Sequence, residues 1–216
     1  MSDFITVRDR ILKVFYNLLK TFSKILIKYK FKIFEIVFYE FLYIFIFNYK
    51  CNSFDIKNNK DYTDNIPTPY LFLVKIFTFL NNKKIKVFVD IGCGSGRTIN
   101  FFLTKNTNIK AIGYEIDNKI YLKAKKIFKN KNNIKLINKN ILNEKKIINA
   151  DCFFLADPFK KKKDYEKLLK KILKIRKKIY LVIVNNNKSI KILEKLHMLN
   201  EFKLNSSGFR IYSNKN

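Results

Sequence analysis

The residues of this chain best suited to chemistry are gathered in Val87-Phe88-Val89-Asp90-Ile91-Gly92-Cys93-Gly94-Ser95-Gly96-Arg97, an apolar run that ends in an acid and three alternate glycines. With no Cβ, Gly92, Gly94 and Gly96 let the backbone turn sharply and come to van der Waals contact with a ligand. Backbone N–H groups at the start of the following helix would then face a negatively charged group. A dinucleotide fingerprint needs glycine at the third position after Gly94, where Arg97 stands, and a P-loop needs Gly-Lys-Ser/Thr, which is missing. Two more acids fall where strands should end on the same edge: Glu115, 25 residues after Asp90, and Asp157. In an open parallel sheet that edge is where ligands bind.

Other chemistries are short of residues. The single His197 rules out a poly-His metal site and leaves any Ser-His-Asp triad with one imidazole to use. Cys51, Cys93 and Cys152 are far apart and form no C-x-x-C pair, which argues against a zinc knuckle or a disulfide framework. Cys93 reads as a small filler and His197 as a packed or surface side chain. A metal site would want carboxylates ending the fourth and fifth strands. Asp157 qualifies, but Asn185 and Asn186 offer only neutral oxygens, so no metal is expected.

The elements that must position these residues begin at Lys86, where short β-branched and aromatic runs alternate with Lys-rich amphipathic stretches, the pattern of a parallel α/β sheet. The expected strands are 86–90, 110–115, 134–138, 151–156 and 179–185. The expected helices are 98–105, 118–129, 164–177 and 189–199, with 143–149 unassigned. Two further strands, 202–206 and 209–213, should pair antiparallel across a Ser-Gly turn. Upstream, a helix opens at Thr68 or Pro69 and runs to Leu80. Residues 51–65 are rich in Asn, Lys and Asp and read as a linker. The organisation expected is a helical N-terminal extension over 1–50, a linker over 51–65 and a ligand-binding domain over 66–216.

The glycine loop resembles motif I of the class I S-adenosylmethionine-dependent methyltransferases. In that family an acid ending the second strand binds the ribose hydroxyls, a role the resemblance gives to Glu115. A polar residue after the third strand lies near the adenine amine, and Asn140 stands there in place of the more usual Asp. Phe153-Phe154-Leu155-Ala156-Asp157-Pro158-Phe159 resembles motif IV, which faces the transferred methyl. Pro67-Thr68-Pro69-Tyr70, the V-D-x-G-C-G-x-G-R loop and D-P-F together are most similar to a poorly characterised bacterial group of these enzymes, although a leading Tyr is replaced by Asn65. The resemblance covers residues 65–213. It implies an α/β fold with a seven-stranded, doubly wound, mostly parallel sheet and an antiparallel C-terminal hairpin. S-adenosyl-L-methionine would be held by Asp90, Gly92, Gly94, Gly96, Glu115, Asn140 and Ala156, and Asp157, Pro158 and Phe159 would be catalytic.

The reaction so implied is in-line transfer of a sulfonium methyl, in which the protein mainly aligns donor and acceptor. Asp157 would orient or deprotonate the acceptor, if it does not simply cap the loop over 160–164. Nucleic-acid amine methyltransferases use a D/N-P-P-Y/F motif. Here one proline is missing, so Phe159 takes its place and Lys160 stands where the stacking aromatic belongs. A small molecule or lipid-linked metabolite therefore ranks first as acceptor, a protein lysine second and nucleic acid third. The rival reading is a catalytically silent relative that binds nucleic acid or an anionic membrane through its charge.

That charge is +28, from 45 Lys and Arg against 17 Asp and Glu in 216 residues. It draws the chain to polyanions, but the excess of Lys, Asn, Ile, Phe and Tyr is also what A/T-rich coding yields. A hydrophobic fraction of 48% excludes intrinsic disorder. A helix over 11–29 carries a basic face, which either stays solvated while the helix packs on its own domain or lies on an anionic membrane surface or grips a partner. A second, over 31–49, is apolar nearly all round and should be buried against either the main domain or another subunit. Its apolar stretch is interrupted by Glu35 and Glu40 and falls short of the roughly 20 residues that span a bilayer. No secretory signal is evident, so the expected location is cytoplasmic, at most peripheral to the inner membrane surface.

Overall fold

The computed structural model describes residues 33–46, 51, 65–185, 190–193, 199–202 and 208–214. The described residues divide into two compact units. The smaller contains helix α1 (Ile33–Ile46) and residues Pro69–Leu71. Within it, Glu40 is buried and its Oε1 accepts from the Tyr70 N–H at 2.7 Å, while the Tyr43 and Tyr70 rings stack. Ile36, Glu40 and Ile44 recur every four residues as one buried stripe, whereas Phe34, Phe38, Phe41 and Ile46 stand exposed. A single stripe is what one helix face can cover. The helix expected over 11–29, like His197, lies outside the described residues.

The larger unit is built on a twisted sheet. Its strands are β1 (Val87–Ile91), β2 (Lys110–Tyr114), β3 (Ile134–Ile137), β4 (Cys152–Ala156), β5 (Tyr180–Val184), β6 (Leu199–Phe202) and β7 (Phe209–Asn214). They run in the order β3-β2-β1-β4-β5-β7-β6, parallel from β3 to β5 and antiparallel in the last two pairings. The helices are α2 (Tyr70–Leu80), α3 (Arg97–Lys105), α4 (Asn118–Ile127) and α5 (Lys162–Ile172).

Both faces of the sheet are covered, which is why its central strands read as continuous apolar runs. On one face Phe88 stacks on Phe102 of α3 with ring centroids 4.5 Å apart, and Phe77 of α2 meets Phe101 and Phe102 edge-on. On the other, Val89, Phe153, Leu155 and Leu181 pack with Tyr165, Leu168, Leu169 and Ile172 of α5. Those four α5 residues sit at helical spacing, and Lys167 and Lys170 between them are exposed.

Every parallel strand lies within one residue of its expected ends. Three other expectations are corrected. Helix α5 stops at Ile172, not Lys177, because the Lys174 and Ile175 N–H groups turn to the Lys171 and Ile172 carbonyls, tightening the last turn. The strand expected over 202–206 lies over 199–202, because β7 pairs Ile211 with Phe202 and Asn214 with Leu199. The helix expected to reach Leu199 therefore ends earlier, since Leu199 already belongs to β6.

Candidate active site

The sheet winds outward in two directions from β1, since β2 lies on one side of it and β4 on the other. A crevice at the carboxyl ends of these strands follows from that reversal. Here it is a half-open pocket lined by Ile91, Gly92, Ile116, Asn140, Pro158 and Phe159, among others, contributed by the segments that leave β1, β2, β3 and β4. Its cavity volume is about 40 Å³, well below the about 300–1,000 Å³ of small-molecule sites. Its walls are mostly apolar, and the Asn140 amide and the Lys139 side chain stand at one edge.

The glycine loop is stitched to the end of β2. Gly92 and Cys93 donate their N–H groups to the Tyr114 carbonyl at 2.9 and 3.0 Å. Gly94 N–H donates to Glu115 Oε2 at 2.9 Å, and Asp117 N–H to Glu115 Oε1 at 2.8 Å. Burial raises the Glu115 carboxyl above its usual value, against the pull of those N–H groups. Asp90 is buried on β1, and its carboxyl is pushed up to about 8 by burial and by the charge of Glu115. It is therefore protonated through most of the neutral range.

Gly92, Gly94 and Gly96 have φ of 77°, 56° and 92°, a region that side chains with a Cβ avoid. What lies where a Cβ would go differs among the three. A Cβ on Gly94 would fall 2.2 Å from Asn65 Oδ1, and one on Gly96 would fall 2.3 Å from the Phe128 ring. The protein's own side chains occupy those two gaps. Only Gly92 opens on the pocket, with Pro158 close by, 3.1 Å from where its Cβ would be. Gly96 instead caps α3, whose Arg97 is buried and donates to the Thr68 carbonyl at 3.2 Å.

Asn140 lines the pocket, and its Oδ1 accepts from the Leu142 N–H at 2.9 Å, capping a short 3₁₀ turn over Ile141–Asn143. Ala156 ends β4, and Asp157 follows it with φ of 55°. The Tyr165 hydroxyl donates to Asp157 Oδ1 at 2.7 Å and accepts the Phe159 N–H at 3.2 Å. Pro158 and Phe159 line the pocket with Gly92, whereas Asp157 is bonded toward α5. Burial raises all three thiols, so none is a ready nucleophile. No group of metal-ligating side chains occurs among the described residues.

Four participants escaped the sequence reading. Ile116 adjoins Glu115, and its place in the pocket depends only on which way the chain turns after β2. Asn65 and Phe128 fill the gaps beside glycines distant in sequence, which no local signal reveals. Tyr165 reads as one more apolar position of α5, and only its hydroxyl hinted at a partner.

Residues 84–180 match a family model described as "Putative methyltransferase". Among solved structures, the methyltransferase PaMTH1 of Podospora anserina, bound to S-adenosylhomocysteine, superposes with a TM-score of 0.56 at 17% identity, covering 69% of this chain and 80% of that one. The chain has the class I methyltransferase fold. The N-methyltransferase NodS of Bradyrhizobium japonicum, in complex with S-adenosylhomocysteine, shares this fold with a TM-score of 0.55 at 14% identity, over 68% of this chain and 85% of that one. An S-adenosylmethionine-dependent O-methyltransferase of Thermotoga maritima shares it with a TM-score of 0.54 at 14% identity, over 69% and 66%. No curated protein matches the sequence.

Proposed function

We propose that this protein is an S-adenosylmethionine-dependent methyltransferase, with the adenosine of the cofactor lying over the shallow pocket that Gly92, Ile116, Asn140, Pro158 and Phe159 line. The observation that carries this reading is the chemistry of that pocket and its rim. Ile91, Ile116, Ile141 and Phe159 offer apolar faces to a flat heterocycle, and Asn140 offers an amide to its edge. Glu115, at the end of β2, supplies carboxylate oxygens suited to the ribose hydroxyls, and the cofactor supplies an electrophilic sulfonium methyl. Two proteins of this fold were crystallised with S-adenosylhomocysteine.

The chain's own residues hold and orient. Tyr165 fixes the turn after β4 by holding Asp157 and the Phe159 N–H together, which keeps Pro158 and Phe159 against Gly92. Asp157 stands at the strand end where an acceptor would be aligned. We favour a small-molecule or lipid-linked acceptor first and a protein lysine second, both ahead of a nucleic-acid base, since Lys160 follows Phe159 where base methylation calls for a stacking aromatic. The N-terminal 50 residues are proposed to be an extension of this domain, acting as tether or lid.

Calorimetric titration with S-adenosylhomocysteine tests the site. Wild type should bind at micromolar levels, and Glu115→Ala, folded by circular dichroism, should lose about 10-fold or more, the worth of one charged hydrogen bond. Unchanged affinity in that variant would remove Glu115 from the site, and no binding by wild type would end the proposal. Transfer of a labelled methyl to lysate fractions separated into small molecules, lipid, protein and nucleic acid would identify the acceptor class.

A further inference from the structure

The carboxyl edge of the sheet holds the pocket already described. The opposite edge holds a second and larger cleft, of about 650 Å³, between the segment that enters β4 and the one that joins α5 to β5. Its lining includes Lys145, Lys146, Lys171, Lys174, Arg176 and Lys177, six of nine residues, and no acidic or aromatic side chain. Lys and Arg make up 45 of the 216 residues, so composition alone would place about two cations among nine. The cleft is therefore richer in cations than the chain as a whole.

The cleft is also built. Lys171 Nζ donates to the Leu142 and Glu144 carbonyls at 2.8 and 2.7 Å, and Lys177 Nζ is held by Asp151 Oδ1. Asp151 is itself fixed by the Lys86 and Val87 N–H groups at 2.9 and 2.7 Å. These bonds set the floor, and Lys145, Lys146, Lys174 and Arg176 stand exposed around it.

We propose that this cleft is a docking site for the phosphodiester backbone of a single-stranded nucleic acid. A polyanion matches the charge. A concave cleft admits a chain, whereas a bilayer presents a plane that ammoniums around a hollow cannot reach together. With no aromatic side chain to stack on bases, the contacts are to phosphate and carry no sequence information. The five residues of β4 separate this cleft from the carboxyl edge, about 17 Å at the rise of a strand. Docking thus determines where the protein resides and leaves the other edge open.

The test is fluorescence anisotropy of the full chain with a labelled single-stranded RNA 20-mer across a salt series. K145Q/K146Q/K174Q removes three exposed ammoniums and none of the floor bonds. At about 0.7 per neutralised phosphate, the slope of log K against log salt should become shallower by about 2, and affinity at 0.1 M salt should fall about 100-fold. K123Q/K126Q/K129Q, equally exposed lysines in and just after α4, should change the slope by less than about half a unit. Poly-A and poly-U probes should bind alike. Equal loss in the two triple variants would assign binding to overall charge and overturn the proposal. So would a strong preference between the two probes, or loss of binding to phosphatidylserine vesicles in the first variant with RNA binding intact.

Discussion

The Tyr165 hydroxyl and the Asp157 carboxylate are joined at 2.7 Å, so the acid that follows β4 is tied to helix α5, which packs on the sheet. Tyr165 is fully buried, and the same hydroxyl accepts the Phe159 N–H. One side chain therefore supports both the acid and the aromatic of the D-P-F turn. A buried hydroxyl beside a carboxylate resists ionisation, and burial followed by the Asp157 charge holds the Tyr165 phenol far above its ordinary value.

Tyr165→Phe should leave the Phe159 N–H and the Asp157 oxygen without this partner. The expected cost is about 1–3 kcal/mol, read as a loss of several degrees in melting temperature. Asp157→Asn keeps an acceptor for the hydroxyl and should be milder in melting temperature. If Asp157 aligns or deprotonates the acceptor, the same variant should slow turnover by about 10²-fold or more with S-adenosylhomocysteine affinity unchanged.

Asp90 predicts a pH dependence. Its folded value of about 8 lies above the ordinary 3.8, so the folded state binds a proton that the unfolded state releases between those values. Its contribution to stability is full below about 4, declines as pH rises through the window, and is constant above about 8. Asp90→Asn should flatten the fall in stability between pH 5 and pH 8, as urea melts at several pH values would show. An identical slope in wild type and variant would place the titration elsewhere.

Asp151 behaves in the opposite sense. Burial pushes its carboxyl up, but the Lys177 ammonium and the Val87 and Lys86 N–H groups outweigh that and hold it below 3.8. The stability it contributes is present above the unfolded value and is lost as pH falls through the lower folded one. Asp151→Ala should destabilise by about 1–2 kcal/mol at neutral pH, with much less difference from wild type in acid melts near pH 2.

Gly113 is a packing position on β2. A Cβ there would fall 2.7 Å from Cys93 Sγ, 2.8 Å from Ile99 Cδ1 and 2.9 Å from Leu136 Cδ2. Gly113→Val should cost about 1–3 kcal/mol by overpacking and Gly113→Ala less. Because Cys93 belongs to the glycine loop, the larger residue should also weaken S-adenosylhomocysteine binding.

Much of this protein was legible along the chain because the signals are local. The apolar runs at Val87–Ile91 and Tyr180–Val184, the glycine punctuation after Asp90, and the four-residue recurrence of Leu168, Leu169 and Ile172 around Tyr165 each depend on neighbours within one element. The parallel strands therefore emerged at nearly their true ends, and Glu115 and Asp157 fell on one edge. Pairing decided the rest. Where β6 begins depends on its register against β7, which periodicity alone did not place. The occupants of the gaps beside Gly94 and Gly96, Asn65 and Phe128, come from segments about 30 residues away, and contacts at that separation leave no periodic trace. The basic cleft shows the same division. A lysine-rich sequence announces charge everywhere, but only the fold brings residues 145 and 146 beside residues 171–177, since β4 and β5 enter the sheet side by side.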